Sequence, residues 1–349
     1  MKSAFTRQLI VSRPLFLALL LLGLPPVVRA ADQGLKREVK VFVGAQFEIG
    51  ENSGDRAGEF QHWYERYWAD VSPITVRGAE NAVFCGELGV CGSVLGMGKV
   101  RSSSSMTAIL LDPRFDFSRT YFIISGVGGT PPRVGTIAAV FWADWLVDYD
   151  LGHRWAPEEG EPGAAVFKPR TGYENVRLLE LNSNLVQWAY RLTRNVPLKD
   201  SDSARAYRMR YPDEAARRAP FVGVGTHIAS DTFFHGPGLS EEAQYISDLY
   251  GASTYVITEM EGAAVAYVIK KLHSLDRVMS LRAAVNFDQG NPNETTLQHL
   301  DPEPGNTPGG FGEGVENNYS VGAVMVDYIV ANWEQWRESI PPFEKDNLQ

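Results

Sequence analysis

Residues 254–286, TYVITEMEGAAVAYVIKKLHSLDRVMSLRAAVN, contain the pattern that decides the fold. Residues 254–258 form a short apolar, β-branched run, which predicts a buried strand. Residues 261–272 carry apolar side chains at helical spacing, and residues 277–285 form a second buried-strand pattern. This unit of a strand, a helix and a strand favours an α/β fold with a largely parallel sheet.

Similar patterns occur on the N-terminal side of this unit, and a further helix is predicted beyond it. They predict strands at 38–46, 81–96 (two short strands), 120–125, 135–150 and 221–229, and helices at 99–111, 174–193 and 317–334. This alternation predicts an α/β fold: a three-layer αβα sandwich with a central mixed, mostly parallel sheet. We expect residues 31–349 to form a single domain. Residues 289–314 are rich in Gly, Pro and Asn and are expected to form a long loop, which can act as a lid.

Residues 1–30 have the pattern of a signal peptide. Three basic residues lie within the first thirteen, residues 15–24 form a short apolar run, and Val28 and Ala30 give a small-x-small cleavage pattern. We therefore expect export to the periplasm or secretion, with the mature chain beginning at Ala31; an uncleaved anchor is the alternative. No later stretch has eighteen uninterrupted apolar residues, so we expect no membrane insertion after the signal is removed.

Charge and cysteine content exclude several classes of site. The formal net charge of −9 gives no basic surface for a phosphate backbone, so nucleic-acid binding is not expected. Cys85 and Cys91 are the only cysteines; an oxidising compartment permits a bridge between them, and two buried thiols are the alternative. We find no metal-binding or P-loop motif and expect neither a metal nor a cofactor.

Polar and glycine residues follow four of the predicted strands, at 126–129, 230–231, 259–262 and 286. Ligands of open α/β sheets collect at the carboxyl ends of strands, so these segments predict one site. In Glu259-Met260-Glu261-Gly262, a carboxylate at a helix N-terminus can accept hydrogen bonds from two vicinal hydroxyls. Capping of the helix by the acidic residue is the alternative.

Residues 258–264 resemble the ribose-binding motif of the nucleoside phosphorylase/nucleosidase superfamily. Four other segments resemble its motifs in the same order, at 95–100, 124–129, 229–233 and 281–286. Within the superfamily, the sequence resembles most the purine nucleoside permease family, through residues 112–129, 135–136, 230–231 and 286–288. The resemblance spans about residues 38–335. It implies a sheet of the nucleoside phosphorylase type, a purine nucleoside as ligand and a homo-oligomeric assembly.

The resemblance also implies residue roles. Glu261 would hold the ribose hydroxyls, with Met260 and Glu259 beside the sugar. The base would lie among Phe233, Asp231, Val127 and Gly128. Asn286 occupies the place where many relatives have an aspartate that donates to purine N7; Asp288 is the alternative proton source. His227 and His235 can reach the base or sugar, or are structural.

Cleavage of the N-glycosidic bond needs a nucleophile at the anomeric carbon, and hydrolysis needs a carboxylate to orient water. Glu48 and Glu51 are the candidates, with a surface charge as the alternative. Arg282 can hold water or phosphate, or form a salt bridge. Phosphorolysis would add phosphate as a ligand, but Ile124 and Val127 replace the phosphate-binding residues of related phosphorylases. We therefore expect a hydrolase; a phosphorylase and a non-catalytic nucleoside-binding component for uptake are the alternatives.

Overall fold

The structure is a computed structural model that describes residues 36–161, 164–301 and 308–343. The predicted signal peptide, residues 1–30, lies outside the described residues. Thirteen strands are formed by the described part of the chain: β1 (Arg37–Glu38), β2 (Val41–Ala45), β3 (Phe84–Cys85), β4 (Val90–Val94), β5 (Phe115–Asp116), β6 (Tyr121–Thr130), β7 (Val140–Asp148), β8 (Gly152–Arg154), β9 (Phe167–Pro169), β10 (Leu178–Glu180), β11 (Val222–Ala229), β12 (Tyr255–Glu259) and β13 (Val278–Phe287).

The same residues form eleven α-helices and two short 3₁₀ turns. The helices are α1 (Gln61–Tyr67), α2 (Lys99–Leu110), α3 (Glu174–Arg177), α4 (Ser183–Thr193), α5 (Asp202–Arg208), α6 (Glu214–Arg217), α7 (Pro237–Leu249), α8 (Gly262–Leu272), α9 (Thr296–Leu300), α10 (Phe311–Ala331) and α11 (Trp333–Trp336).

Nine strands form the central sheet, in the order β10-β7-β11-β12-β6-β2-β4-β3, and β13 pairs with both β6 and β7. The parallel pairs are β2 with β4 and β6, β11 with β7 and β12, and β13 with β6. The other four pairs are antiparallel. Because β13 also pairs with β7, the strands β7, β11, β12, β6 and β13 close into a ring, from which the remaining strands extend.

Helices cover both faces of the sheet, which confirms the predicted three-layer αβα architecture. One buried cluster joins α1, α4 and α10 to the sheet, and Trp63 and Trp68 are fully buried within it. These two tryptophans are therefore core residues. On the other face, α2 and α8 pack through side chains such as Met106, Ile109 and Ile269. Burial of apolar side chains of this size contributes about 1.5–3 kcal/mol each.

Two of the predicted elements differ from the structure. Residues 174–193 do not form one helix, because β10 pairs with the edge of β7 and Asn182 caps a new helix, accepting from the amides of Asn184 and Leu185. Residues 289–314 are not loop throughout: Thr295 caps α9, and α10 begins at Phe311. In both places a capping side chain, Asn182 or Thr295, starts a helix that the composition of the whole stretch does not indicate.

Cys85 and Cys91 form a disulfide between β3 and β4. The two residues lie opposite each other in the antiparallel pair, with their Cα atoms 4.1 Å apart. The turn at residues 86–89 returns the chain, and Gly89 adopts a φ of 79°, in the region that favours glycine. Of the two alternatives for these cysteines, the structure has the bridge.

Candidate functional site

A pocket of about 240 Å³ lies where β6, β12 and β13 end. Three of the four polar strand ends singled out in the sequence contribute to its wall, and the fourth strand end is followed by the pocket residues Thr232 and Phe233. The pocket is lined by Gln46, Phe47, Glu59, Met97, Val127, Gly128, Thr232, Phe233, Thr258, Glu259, Met260, Glu261, Arg282, Val285 and Asn286. The segments are far apart in sequence, so the site is assembled by the sheet topology.

Glu261 is a buried carboxylate on the pocket wall, at the N-terminus of α8. Its Oε1 accepts from the amide of Gly98 at 2.8 Å, and its Oε2 lies 3.1 Å from Nη2 of Arg282. Burial raises the pKa of Glu261, Arg282 opposes this, and the neighbouring Glu259 adds to it. Each oxygen has one protein partner and a second lone pair, so the carboxylate can accept hydrogen bonds from a bound hydroxyl pair.

Glu259 is the residue that caps α8. Its carboxylate accepts from the amides of Glu261 and Gly262, at 2.7–2.9 Å, and its Oε2 lies 2.8 Å from Nη2 of Arg282. The capping alternative thus falls on Glu259, and hydroxyl binding by Glu261 stays a prediction. Glu259 holds the helix end in place, and Glu261 faces the pocket.

Glu59, which the sequence reasoning did not single out, supplies a third carboxylate to the pocket. Its two oxygens accept from the amides of Gln46 and Val127, each at 2.7 Å. Burial raises the pKa of Glu59 to about 7, with Arg282 lowering it and Glu261 raising it further. A carboxyl group with this pKa can exchange a proton near neutrality, as a general base or acid must.

Arg282 is the one cation among the described pocket-lining residues. It contacts Glu259 and Glu261 through Nη2, and its Nη1 lies 3.8 Å from Glu59. Nη1 also donates to the carbonyl of Val127 at 3.1 Å. Three carboxylates therefore share one buried guanidinium, and the salt-bridge alternative for Arg282 is the one the structure has.

Glycines in β6 make room for these groups. A Cβ on Gly126 would lie 2.6 Å from both Nη1 of Arg282 and Oε1 of Glu59, and one on Gly128 would lie 2.4 Å from the carbonyl oxygen of Thr258. The glycine-rich segment is part of the strand rather than a loop after it, since β6 continues to Thr130. Its glycines allow close approach of the neighbouring groups.

Asn286 and Phe233 also line the pocket. Nδ2 of Asn286 donates to the carbonyl of Phe287 at 2.8 Å, which orients the amide and leaves one N–H for a ligand. The Phe233 ring is 55% exposed at the rim. Asp288 does not line the pocket: it is buried with Tyr255, whose hydroxyl donates to it at 3.0 Å, and burial raises the pKa of Asp288 to about 6.

Four other predicted site residues also lie outside the pocket lining. Glu48 accepts from four backbone amides around the start of α1, including Ile49 and Phe60 at 2.8 Å, so it organises this turn. Glu51 is exposed. Asp231 accepts from the first amide of α2, that of Lys99, at 2.7 Å. His227 is fully buried next to Ser280 and does not line the pocket, which favours its structural alternative.

Comparison with known proteins identifies the family. A family model described as purine nucleoside permease matches residues 38–341 of the chain. The chain belongs to the purine nucleoside permease family. The family that the sequence motifs resemble is thereby confirmed. Within the described residues of this family member, no helix has the length and apolar character needed to cross a membrane.

Two relatives of this chain are named purine nucleoside permeases. The chain is 28% identical over 272 residues to a probable purine nucleoside permease of Schizosaccharomyces pombe, covering 71% of this chain and 77% of the relative. It is 27% identical over 279 residues to a purine nucleoside permease of Candida albicans, covering 74% of this chain and 68% of the relative.

Solved structures similar to this purine nucleoside permease family member include a nucleosidase and a futalosine hydrolase. A 5′-methylthioadenosine/S-adenosylhomocysteine nucleosidase of Neisseria meningitidis has a TM-score of 0.53 at 17% identity, covering 84% of this chain and 99% of that one. A futalosine hydrolase of Helicobacter pylori has a TM-score of 0.53 at 18% identity, covering 83% and 98%. At these identities the likeness shows the fold, a sheet of the nucleoside phosphorylase/nucleosidase type.

Proposed function

We propose that this chain hydrolyses the N-glycosidic bond of purine nucleosides and releases the free base and ribose. The observation that carries this function is the arrangement of Glu59, Glu261 and Arg282 in one pocket. One carboxylate is available for hydroxyls, and a second has a pKa near neutrality. The solved nucleosidases with the same fold support this function, and so does the purine nucleoside in the names of the relatives.

In the proposed mechanism the nucleoside lies with its ribose hydroxyls against Glu261 and its base between Phe233 and Asn286. Glu59 takes a proton from a water molecule, whose oxygen attacks the anomeric carbon. The C1′–N9 bond breaks, and its electron pair leaves with the base. The free N–H of Asn286 donates to N7 and stabilises the charge that develops on the base. The proton taken up by Glu59 passes through solvent to the departing base, which gives the free base and restores the carboxylate.

The charge of the pocket favours water over phosphate as the nucleophile. Arg282 is already shared among three carboxylates, and phosphate would bring further negative charge next to them. Like charges at such distances in a buried site repel strongly. Lys99 does not supply the missing cation, since its ammonium group pairs with Asp148 and Asp150 at 2.7 and 2.6 Å.

The names of the relatives favour a second candidate function. They are called permeases, which supports a role in nucleoside uptake, with this chain binding nucleosides and no bond being broken. A binding component of this kind would use the same pocket. It predicts tight binding of nucleosides that stay intact.

One assay separates the candidates. The purified chain is incubated with inosine, guanosine or adenosine in phosphate-free buffer and again with phosphate, and the free base is measured. We expect base release without phosphate, with ribose as the other product. Release that depends strictly on phosphate would replace hydrolysis by phosphorolysis. Binding without release in either buffer would leave the uptake role.

A further inference from the structure

A groove of about 690 Å³ adjoins the pocket at the end formed by Phe233, Val285 and Asn286, which line both cavities. The groove thus continues from the proposed base end and not from Glu261. The rest of its wall comes from residues 56, 235, 299–300 and 308–311. His235 and His299 therefore line the same groove as Asn286.

His235 and His299 on this wall belong to one hydrogen-bonded chain. Nε2 of His235 is in direct contact with Nδ1 of His299, and the two ring planes are inclined by only 19°. Nε2 of His299 lies 3.1 Å from the hydroxyl of Tyr211. That hydroxyl is also 3.0 Å from the carbonyl oxygen of Gln289.

The carbonyl at the end of this chain sets the direction of every hydrogen bond in it. A carbonyl oxygen only accepts, so Tyr211 donates its one proton to Gln289 and accepts from Nε2 of His299. Neutral His299 then accepts at Nδ1, and His235 donates to it from Nε2. Nδ1 of neutral His235 is left as an acceptor.

This acceptor has no partner among the described residues. His235 is 8% exposed, and its Nδ1 is buried without a hydrogen bond. Burial also lowers the pKa of His235 to about 4, with His299 adding to the effect, so the ring is neutral at physiological pH. A buried acceptor without a donor costs free energy, which a ligand N–H would recover.

We propose that His235 determines base specificity, by accepting a hydrogen bond from an N–H on the six-membered-ring edge of the purine. This role builds on the nucleoside cleavage proposed above and names its substrate class. Inosine and guanosine present N1–H at that edge, and adenosine presents its amino group. Purine riboside presents no donor there, so it is the substrate that the site discriminates against.

The test compares inosine with purine riboside in the wild type, His235→Leu and His235→Asn. Both the dissociation constant and kcat/KM are measured. The dissociation constants alone show the preference for inosine over purine riboside, even if no bond is cleaved. We expect His235→Leu to weaken the binding of inosine about tenfold or more. The binding of purine riboside should change by no more than about twofold. His235→Asn, which keeps an acceptor, should recover part of the inosine preference. His153→Leu, at an exposed histidine that lines neither cavity, is the matched control.

The outcomes are distinct for the two proposals. If His235→Leu weakens the binding of both nucleosides equally, His235 has a structural role. If the wild type binds both nucleosides equally, the protein does not recognise the edge of the base. Either result overturns the role of His235. Selective loss of inosine binding supports that role whether or not base is released. Absence of base release from both nucleosides overturns only the hydrolase function.

Discussion

Glu59 and Glu261 carry the same functional group, and their surroundings give them different chemistry. Glu261 lies 3.1 Å from Arg282, whereas Glu59 lies 3.8 Å from it and is held by two backbone amides. Burial dominates the pKa of both. Glu59, farther from the guanidinium, is suited to proton transfer near pH 7, and Glu261 is suited to holding hydroxyls.

The pKa of Glu59 predicts a pH profile. A general base acts in its ionised form, so kcat/KM should rise with pH, about tenfold per unit, and level off near pH 7. Glu59→Gln should lower kcat about 10²–10⁴-fold and remove this rise. Steady-state kinetics from pH 5 to 9 would test it, with circular dichroism as the control for folding. A variant that keeps the rise would exclude Glu59 as the base.

Glu261 predicts the dependence on ribose hydroxyls. Glu261→Ala should cut turnover about 10²-fold or more, because hydrogen bonds to a charged group contribute about 1.5–3 kcal/mol each. The variant should also lose the wild-type preference for inosine over 2′-deoxyinosine. Glu51→Ala removes an exposed glutamate outside the pocket lining and is the matched control. Near-normal turnover in Glu261→Ala would rule out the hydroxyl-binding role.

At the scale of elements, β6 is the strand on which the site depends. Its glycines let Arg282, Glu59 and the backbone of Thr258 approach within distances that a Cβ would prevent. It pairs with β2, β12 and β13, three strands that lead into the pocket. A substitution at one of these glycines therefore displaces Arg282, Glu59 or the backbone of Thr258.

Gly126→Ala should disrupt the site more than the fold. The new Cβ would meet Arg282 and Glu59 at 2.6 Å, so the pair must shift, and we expect at least a tenfold loss of kcat with about 1–3 kcal/mol of destabilisation. Gly238→Ala, in α7 with nothing within 4 Å of its new Cβ, should be neutral or stabilising by about 0.4–1 kcal/mol. Kinetics and urea unfolding of both variants test this. Similar behaviour of the two would contradict it.

The β3–β4 hairpin is the element that a disulfide constrains. The bridge closes a short loop, with a sequence separation of six, so its contribution to the free energy of unfolding should be about 2 kcal/mol. Urea unfolding with and without dithiothreitol should show this loss in the wild type. The double variant Cys85→Ala/Cys91→Ala should not respond to the reductant. An unchanged wild-type curve would mean that the bridge adds no stability.

At the scale of the whole molecule, the signal-like residues 1–30 and the disulfide are consistent with one compartment. Disulfides persist in oxidising environments, and a signal peptide directs a chain to such an environment. We propose that the chain is exported and cleaved before Ala31. N-terminal sequencing and intact mass of the protein from its native host should give a chain that begins there. A mature chain that retains the basic N-terminal residues would contradict export with cleavage.

The sequence by itself determined the type and order of most elements, because helical and strand periodicity are local properties of the side chains. The strand, helix and strand within residues 254–286 illustrate this, and so does the pocket carboxylate Glu261, which belongs to a motif that ends a strand and starts a helix. The fold class followed from the same local patterns, and the family followed from the resemblance of the sequence motifs. Most of one wall of the site was therefore predictable.

Only the tertiary structure decided which carboxylates share the pocket. Glu48 and Glu59 lie eleven positions apart in one irregular segment, and no local pattern distinguishes them. Glu48 is bound by four amides at the start of α1, whereas Glu59 reaches the amide of Val127 in β6 and lies beside Arg282 in β13. The physical reason is that the pKa and the accessibility of a carboxylate depend on amides and charges brought to it from distant strands. Those neighbours exist only once the sheet has formed.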